Sequence, residues 1–359
     1  MVCSQPEIIN NRIIRLDSPA RRRVLFGTMF QFLSLEAALK RLNYQLDRIM
    51  PLLTPSGVIL GLLLGSRVAW MKPSLPILFA IITFIGGLGI NSNAFFTVLK
   101  KPKAILVFII GANFVMPLLT YAIASTLFRN QQEIATGLIL LMSIPTAITG
   151  YIWSGIYKGN GALSLTLILV STLLAPILTP YTVSLLANTS VRIDTAGMMV
   201  SLLIMVVVPS VAGILINNAT KGTVNDHITP CLKPFSKIGL FLIIVINTAQ
   251  VSERLLANAS WAYLPIALTC AFLAVIAYPI SHTLGRIAGL GVEESKSITF
   301  ASSMRNISAA LVLAIAYFPA ETALPVIFGI VFQQSTCAVM AYFLYGRKKS
   351  RNITNQQGV

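Results

Sequence analysis

Residues 161–187 read GALSLTLILVSTLLAPILTPYTVSLLA, a run without one charged side chain. A helix needs about 20 residues to cross the hydrocarbon of a bilayer, and this run is longer than that. The strands of a membrane barrel would alternate apolar and polar residues over about ten positions, which this run does not do. It reads as a membrane-spanning helix. Similar runs, ended by charge or by Pro and Gly, lie at roughly 50–67, 75–93, 104–127, 134–157, 195–217, 235–252, 260–284, 295–317 and 321–345. The chain is predicted to be all-α, a polytopic membrane protein of ten spans.

Composition agrees. Of 359 residues, 55% are hydrophobic and 11% charged, and the mean hydropathy is +0.79. A soluble domain carries about 25% charged residues, enough to cover a surface facing water. The net charge of +16 would suggest nucleic acid in a soluble protein. Here the basic residues cluster in short loops and at the ends, the signature of a cytoplasmic face rather than of nucleic-acid binding. With the N-terminus inside, 21 of the 27 Lys and Arg residues fall on the cytoplasmic side. Arg67, Lys72, Arg129, Arg192 and Arg254 fall outside, and Arg305 falls within a span. This predicts a multi-pass plasma-membrane protein with both termini cytoplasmic.

The ends are expected to stand apart from the bundle. Residues 1–49 form a cytoplasmic extension without the apolar core and cleavage site of a signal peptide. Within it, 33–50 mixes apolar residues with Glu36, Lys40, Arg41, Asp47 and Arg48. This reads either as an amphipathic helix on the inner membrane surface or as an extended lead into the first span. Residues 347–359 form a basic tail.

Several spans carry polar residues near mid-depth, where they must face protein or a wet cavity. The fourth holds Ser143, Pro145, Thr146, Thr149, Gly150 and Ser154, and the ninth Thr299, Ser302, Ser303, Arg305, Asn306 and Ser308. The third has Asn113 and Pro117, and the last has Gln333 and Gln334. For single serines and threonines, helix packing is sufficient explanation. In a ten-span chain the fourth and ninth are equivalent positions of two five-span units, 50–190 and 191–346. An odd number of spans inserts the second unit upside down, and paired broken helices are the mark of such inverted repeats.

The four cysteines, at 3, 231, 270 and 337, lack metal-ligand spacing, and His227 and His282 lack a motif. No carboxylate lies deep in a span. An enzyme would want a nucleophile–base pair or a metal cluster, and a nucleotide-driven pump a glycine-rich phosphate loop. Neither is legible, so no catalytic residue and no cofactor are expected.

Gly159–Pro180, GNGALSLTLILVSTLLAPILTP, resembles the fifth helix of the bile acid:sodium symporter family, with Ser171, Thr172, Pro176, Thr179 and Pro180 in order. Lys101-Pro102-Lys103 before the third span, and Ser295–Phe318 with Met304, Asn306 and its closing Ala316-Tyr317-Phe318, extend the resemblance over about 50–345. It implies two inverted five-helix repeats, with helices 4 and 9 broken and crossing. It also implies a panel of helices 1, 2, 6 and 7 that moves against the rest, and sodium-coupled uptake of organic anions.

The departures matter as much. Where the family has Glu-Val-Gly-Met-Gln-Asn, this chain has Ala301, Ser302, Ser303, Met304, Arg305 and Asn306. The family's Ser-Asn at the fourth-helix break is Gly150-Tyr151, its sodium-ligating threonine is Ile168, and its third-helix glutamine is Asn113. A degenerate ion site would comprise Ser164, Asn113, Ser302 and Met304. A guanidinium is always charged and only donates hydrogen bonds, so it repels sodium. Arg305 is expected either to pair with a substrate carboxylate or to hydrogen-bond the carbonyl ends of the broken fourth helix. Tyr151 either closes over the solute or packs in an aromatic core. The expected substrate site is Arg305, Asn306, Ser303, Thr149, Tyr151, Asn113 and Gln334. The function expected is secondary transport of a small organic anion (a carboxylate) by alternating access, without a complete sodium cage. A sodium-coupled symporter, a facilitator or exchanger of the same fold, and an arsenite-efflux-like carrier are the alternatives. The partners expected are the solute and the bilayer, and the oligomeric state is left open, a monomer being compatible with the sequence.

Overall fold

A computed structural model of the chain describes residues 19–90, 102–187, 194–257 and 261–346. The two ends, and the basic residues at 100, 101 and 192, lie outside these. In chain order the main helices are α1 (Pro19–Leu64), α2 (Leu75–Leu88), α3 (Pro102–Leu127), α4 (Gln132–Ser143) and α5 (Thr149–Ile156). They continue with α6 (Gly161–Leu186), α7 (Thr195–Ala219), α8 (Thr229–Ala257) and α9 (Leu264–Ile287). The last are α10 (Val292–Ser303), α11 (Ile307–Tyr317) and α12 (Ala323–Tyr345). The result is an all-α polytopic bundle.

Among the described residues five helices are long and apolar enough to cross a membrane: α3, α6, α7, the Thr229–Gln250 part of α8, and α9. A sixth is added if Ala320–Gln333 and Ser335–Tyr345, bent by 47°, count as one span. Lys72–Leu88, α4 and α11 are apolar but shorter. The predicted fourth and ninth spans are thus not single rods. Each is two short helices joined by an extended break.

The N-terminal extension also differs from an extended lead. α1 is one helix of 46 residues that passes residue 50 without interruption and packs along α8. Lys237 on α8 donates to the backbone carbonyl of Asn43 at 3.1 Å and to its side-chain oxygen at 2.6 Å. Lys40 and Glu36 form an ion pair one turn apart, the spacing at which helical side chains meet.

Prolines account for the local irregularities. A proline within a helix lacks an N–H and clashes with the carbonyl four residues back. α3 widens into a π-turn over Ile110–Val115, just before Pro117, and α7 does so over Leu203–Val207, just before Pro209. At Pro145 the helix stops: the residue before a proline is driven out of the helical region, and Ile144 is extended at φ −70°, ψ 152°.

Two groups of helices emerge from the packing. α2 lies on α7 and α8, and α8 on α1; on the other side α9 packs on α10 and α12, and α4 on α3, α6 and α12. α4 is buried from Ile134 to Ser143 and α11 from Ile307 to Ala314. The interrupted helices are therefore at the centre, where lipid cannot reach their open backbone ends.

α2 and α7 touch backbone to backbone. A Cβ at Gly87 would overlap the carbonyl of Ser210, whereas one at Gly86 would meet nothing within 4 Å. Gly87→Ala is therefore expected to cost about 1–3 kcal/mol through overpacking, seen as a lower melting midpoint in detergent. Gly86→Ala, one residue away, should melt with the wild type.

Candidate functional site: the crossing of two interrupted helices

The breaks at 144–148 and 304–306 lie side by side. Thr146 and Arg305 form an isolated antiparallel β-bridge. Ala147 N–H donates to Met304 O at 2.9 Å and Asn306 N–H donates to Pro145 O at 2.8 Å. Each break thereby satisfies backbone groups that the other's helix ends leave open.

Neighbouring helices complete the pairing. Ser171 on α6 accepts the N–H of Thr146 at 3.0 Å, and the Thr146 hydroxyl donates to Ala301 O at 2.7 Å. On the far edge Gln333 of α12 accepts the N–H of Arg305 at 2.8 Å and donates to its carbonyl at 2.9 Å. That side-chain amide acts as one more rung of sheet. Asn306, a favoured residue at a helix start, caps α11 by accepting from Ala309 N–H at 3.4 Å.

Arg305 is 2% exposed. Its Nη1 donates to Ile144 O at 3.3 Å and its Nη2 to Ala112 O at 2.5 Å, while Nε has no partner among the described residues. Ile144 is the cap of α4, where the negative end of a helix dipole favours a cation, and Ala112 belongs to the π-turn of α3. Among the described residues no carboxylate pairs with Arg305.

A cavity of about 150 Å³ lies against the crossing, between it and α2, α7 and α8. Thr146, Thr149, Arg305, Asn306, Ser308 and Gln333 make its polar floor, and Phe79, Ile82, Ile168, Val206, Leu240 and Ile244 are among its apolar walls. The first turns of α5 and α11 both open onto it. Arg305 is the one charged residue among those lining it. The Thr149 hydroxyl is buried there without a partner.

The residues expected from sequence separate into groups. Arg305, Asn306 and Thr149 meet in the cavity. Tyr151 does not line it and is 36% exposed: two residues past Thr149, it sits about 200° round α5. Ser303 lines a smaller void of about 10 Å³ behind Arg305, beside Tyr278 and Cys270. Asn113 and Ser302 are buried outside the cavity, each with an unpartnered polar atom. Met304 is buried and accepts from the Tyr278 hydroxyl through its sulfur at 3.0 Å. Ser164 donates to Ser154 at 2.9 Å, in a cluster with Ser297 and the carbonyl of Asn160, away from the crossing. The Gln334 side chain lies outside the described residues. Its neighbour Gln333 is the glutamine that holds Arg305. Only its spacing from Ile330, three residues back on the cavity side, hinted at this.

At the crossing the guanidinium takes up the carbonyls of Ile144 and Ala112, and Ala301 offers no carboxylate.

The match to a family model comes from residues 76–258, about half the chain, and that model describes the sodium bile acid symporter family. The chain belongs to this family. YbaS of Bacillus subtilis, described as uncharacterized, is 37% identical over 82% of this chain and 96% of its own. A rice protein described as a probable chloroplastic sodium/metabolite cotransporter, BASS2, is 29% identical over 76% of this chain and 66% of its own. YocS of Bacillus subtilis, described as an uncharacterized sodium-dependent transporter, is 26% identical over 82% of this chain and 90% of its own. Family membership and the helical bundle make the chain a multi-pass membrane protein of secondary-transporter type, not an enzyme.

The crossing gives a stability prediction. A buried backbone group left without a partner costs about 1–3 kcal/mol. Gln333→Leu strands the Arg305 N–H, its carbonyl keeping the Ile307 N–H, and Ser171→Ala strands the Thr146 N–H, so each should destabilise by about 1–3 kcal/mol. Thermal melts of the purified variants check the size of both effects.

Proposed function

We propose that the protein carries a small organic anion across the membrane by alternating access, without needing sodium. One observation carries this reading: the single charge lining the central cavity is the cation Arg305, with no acid beside it. Two helix N-termini face the same space, and they favour anions. The guanidinium keeps its Nε free, and a guanidinium is matched to a carboxylate. The volume of about 150 Å³ is small beside the roughly 300–1,000 Å³ of drug-sized sites, so the solute is a short carboxylate rather than a sterol.

Ten spans in two inverted units, 50–190 and 191–346, fit the same picture. The bridge at the crossing is antiparallel, as two upside-down copies require. Its two residues are held by equivalent donors or acceptors from the following span: Ser171 lies 25 positions after Thr146, and Gln333 lies 28 after Arg305. In this reading α1, α2, α7 and α8 are the moving panel, and both termini are cytoplasmic.

Two of the relatives have sodium in their names. In this chain Arg305 stands in for that ion as a tethered cation. It neutralises the carbonyl ends of the crossing and attracts the anion, so binding is not linked to a cation in solution.

Uptake of radiolabelled short carboxylates into proteoliposomes tests the reading. Replacing sodium by choline should leave the initial rate unchanged, and a complete loss would overturn it. Arg305→Gln should reduce uptake by about ten- to a hundredfold, the worth of one charge-assisted hydrogen-bonded contact. The companion variant Ala301→Glu/Arg305→Gln should gain a dependence on sodium.

A further inference from the structure

The walls of the central cavity come from particular stretches of their helices. They are Phe79–Gly87 of α2 and Ile90 just beyond it, Ile168–Thr172 of α6, Val206 and Ser210 of α7, and Leu240 and Ile244 of α8. These stretches lead toward the turns that hold Lys158 and Lys221 and the first turns of α8, with Lys233 and Lys237. On the other side of the crossing, Met198, Leu202 and Met205 of α7, Ile243 and Ile246 of α8, and Leu311 of α11 belong to one buried apolar cluster. A separate space of about 390 Å³ lies between α3, α4 and the C-terminal end of α6.

Two features of that closed half are not explained by apolar packing. The first is Tyr317, the last residue of α11. Its hydroxyl donates to Gly197 O at 2.9 Å and pairs with the Ser201 hydroxyl, tying the end of α11 to the start of α7. The approach is close on two sides: a Cβ at 197 would overlap the Asp194 carboxylate and stand 2.8 Å from the Tyr317 ring. The second is Asn247 on α8. It is fully buried, and among the described residues neither its amide nitrogen nor its oxygen has a partner. Seven residues after Leu240, it lies on the stripe that faces the cavity, two turns farther along. A buried side-chain amide with no protein partner for either atom calls for an explanation. A second state, in which water or solute reaches it, supplies one.

We propose that Tyr317 is a latch that keeps the half of the carrier opposite the basic loops shut, and that Asn247 lines the path the latch closes. The inference rests on the alternating-access reading. Opening that path requires α7 and α8 to part from α11, and the two Tyr317 hydrogen bonds are what directly oppose it at the rim. Losing them shifts the population toward the open state without altering the cavity floor.

The test is thiol accessibility in liposomes. Cys3, Cys231, Cys270 and Cys337 are replaced by alanine or serine, and one reporter is introduced, Asn247→Cys on the closed side or Ser210→Cys in the cavity. A membrane-impermeant cationic methanethiosulfonate is applied to each side in turn. Tyr317→Phe should raise the labelling rate at 247 about tenfold, as the loss of one or two hydrogen bonds implies, and should slow labelling at 210. Gly197→Ala should act in the same direction. If Asn247→Cys fails to fold, Leu202→Cys on α7 replaces it. A faster rate at both reporters means general loosening and overturns the latch. A measurable rate at 247 that Tyr317→Phe leaves unchanged overturns the latch while alternating access stands. A reporter at 247 inert in every variant, with 210 reactive, overturns both.

Discussion

Two helices that stop in the middle of a membrane protein leave carbonyls and N–H groups with no turn to receive them and no water nearby. In hydrocarbon each such group is costly, so a broken helix persists only if something else meets its ends. Here the two breaks meet each other. The short antiparallel bridge between Thr146 and Arg305, closed on one edge by Ser171 and on the other by Gln333, is the condition for everything around it. It puts α4 and α11 at the centre of the bundle and turns the starts of α5 and α11 toward one cavity. It also explains the density of hydroxyls and amides in two otherwise apolar spans.

Arg305 occupies an unusual position in that arrangement. A buried cation without a carboxylate partner is normally unstable. The guanidinium is tolerated here because it lies against carbonyl oxygens, at the negative end of α4 and in the π-turn of α3. The two roles considered for it from sequence are compatible in space. It bonds the open end of the broken helix, and it remains the positive element of the cavity wall. On the proposed reading the same side chain makes the crossing stable and gives the site its sign.

Much of the architecture could be read from the chain, because long uncharged runs have few physical solutions. The positions of the breaks were also legible: Pro145 forces one, and the polar cluster around Arg305 and Asn306 marks the other. What a single sequence could not supply was rotation. Tyr151 and Thr149 are two residues apart and face different surroundings, and Gln333, the neighbour of the expected Gln334, holds the backbone of Arg305. Serine-rich segments were ambiguous for the same reason. Ser164, expected in a degenerate ion site, lies in a hydroxyl cluster with Ser154 and Ser297 that joins α5, α6 and α10. Neither proline nor charge marks the continuity of α1 through residue 50. That continuity comes from α1 lying along α8.

This last feature has a mechanical consequence. A helix of 46 residues is about 69 Å long, more than twice the roughly 30 Å of hydrocarbon in a bilayer. A helix of that length cannot fit across the hydrocarbon, so a good part of α1 reaches beyond it, and the grip of Lys237 on Asn43 fastens that long element to α8.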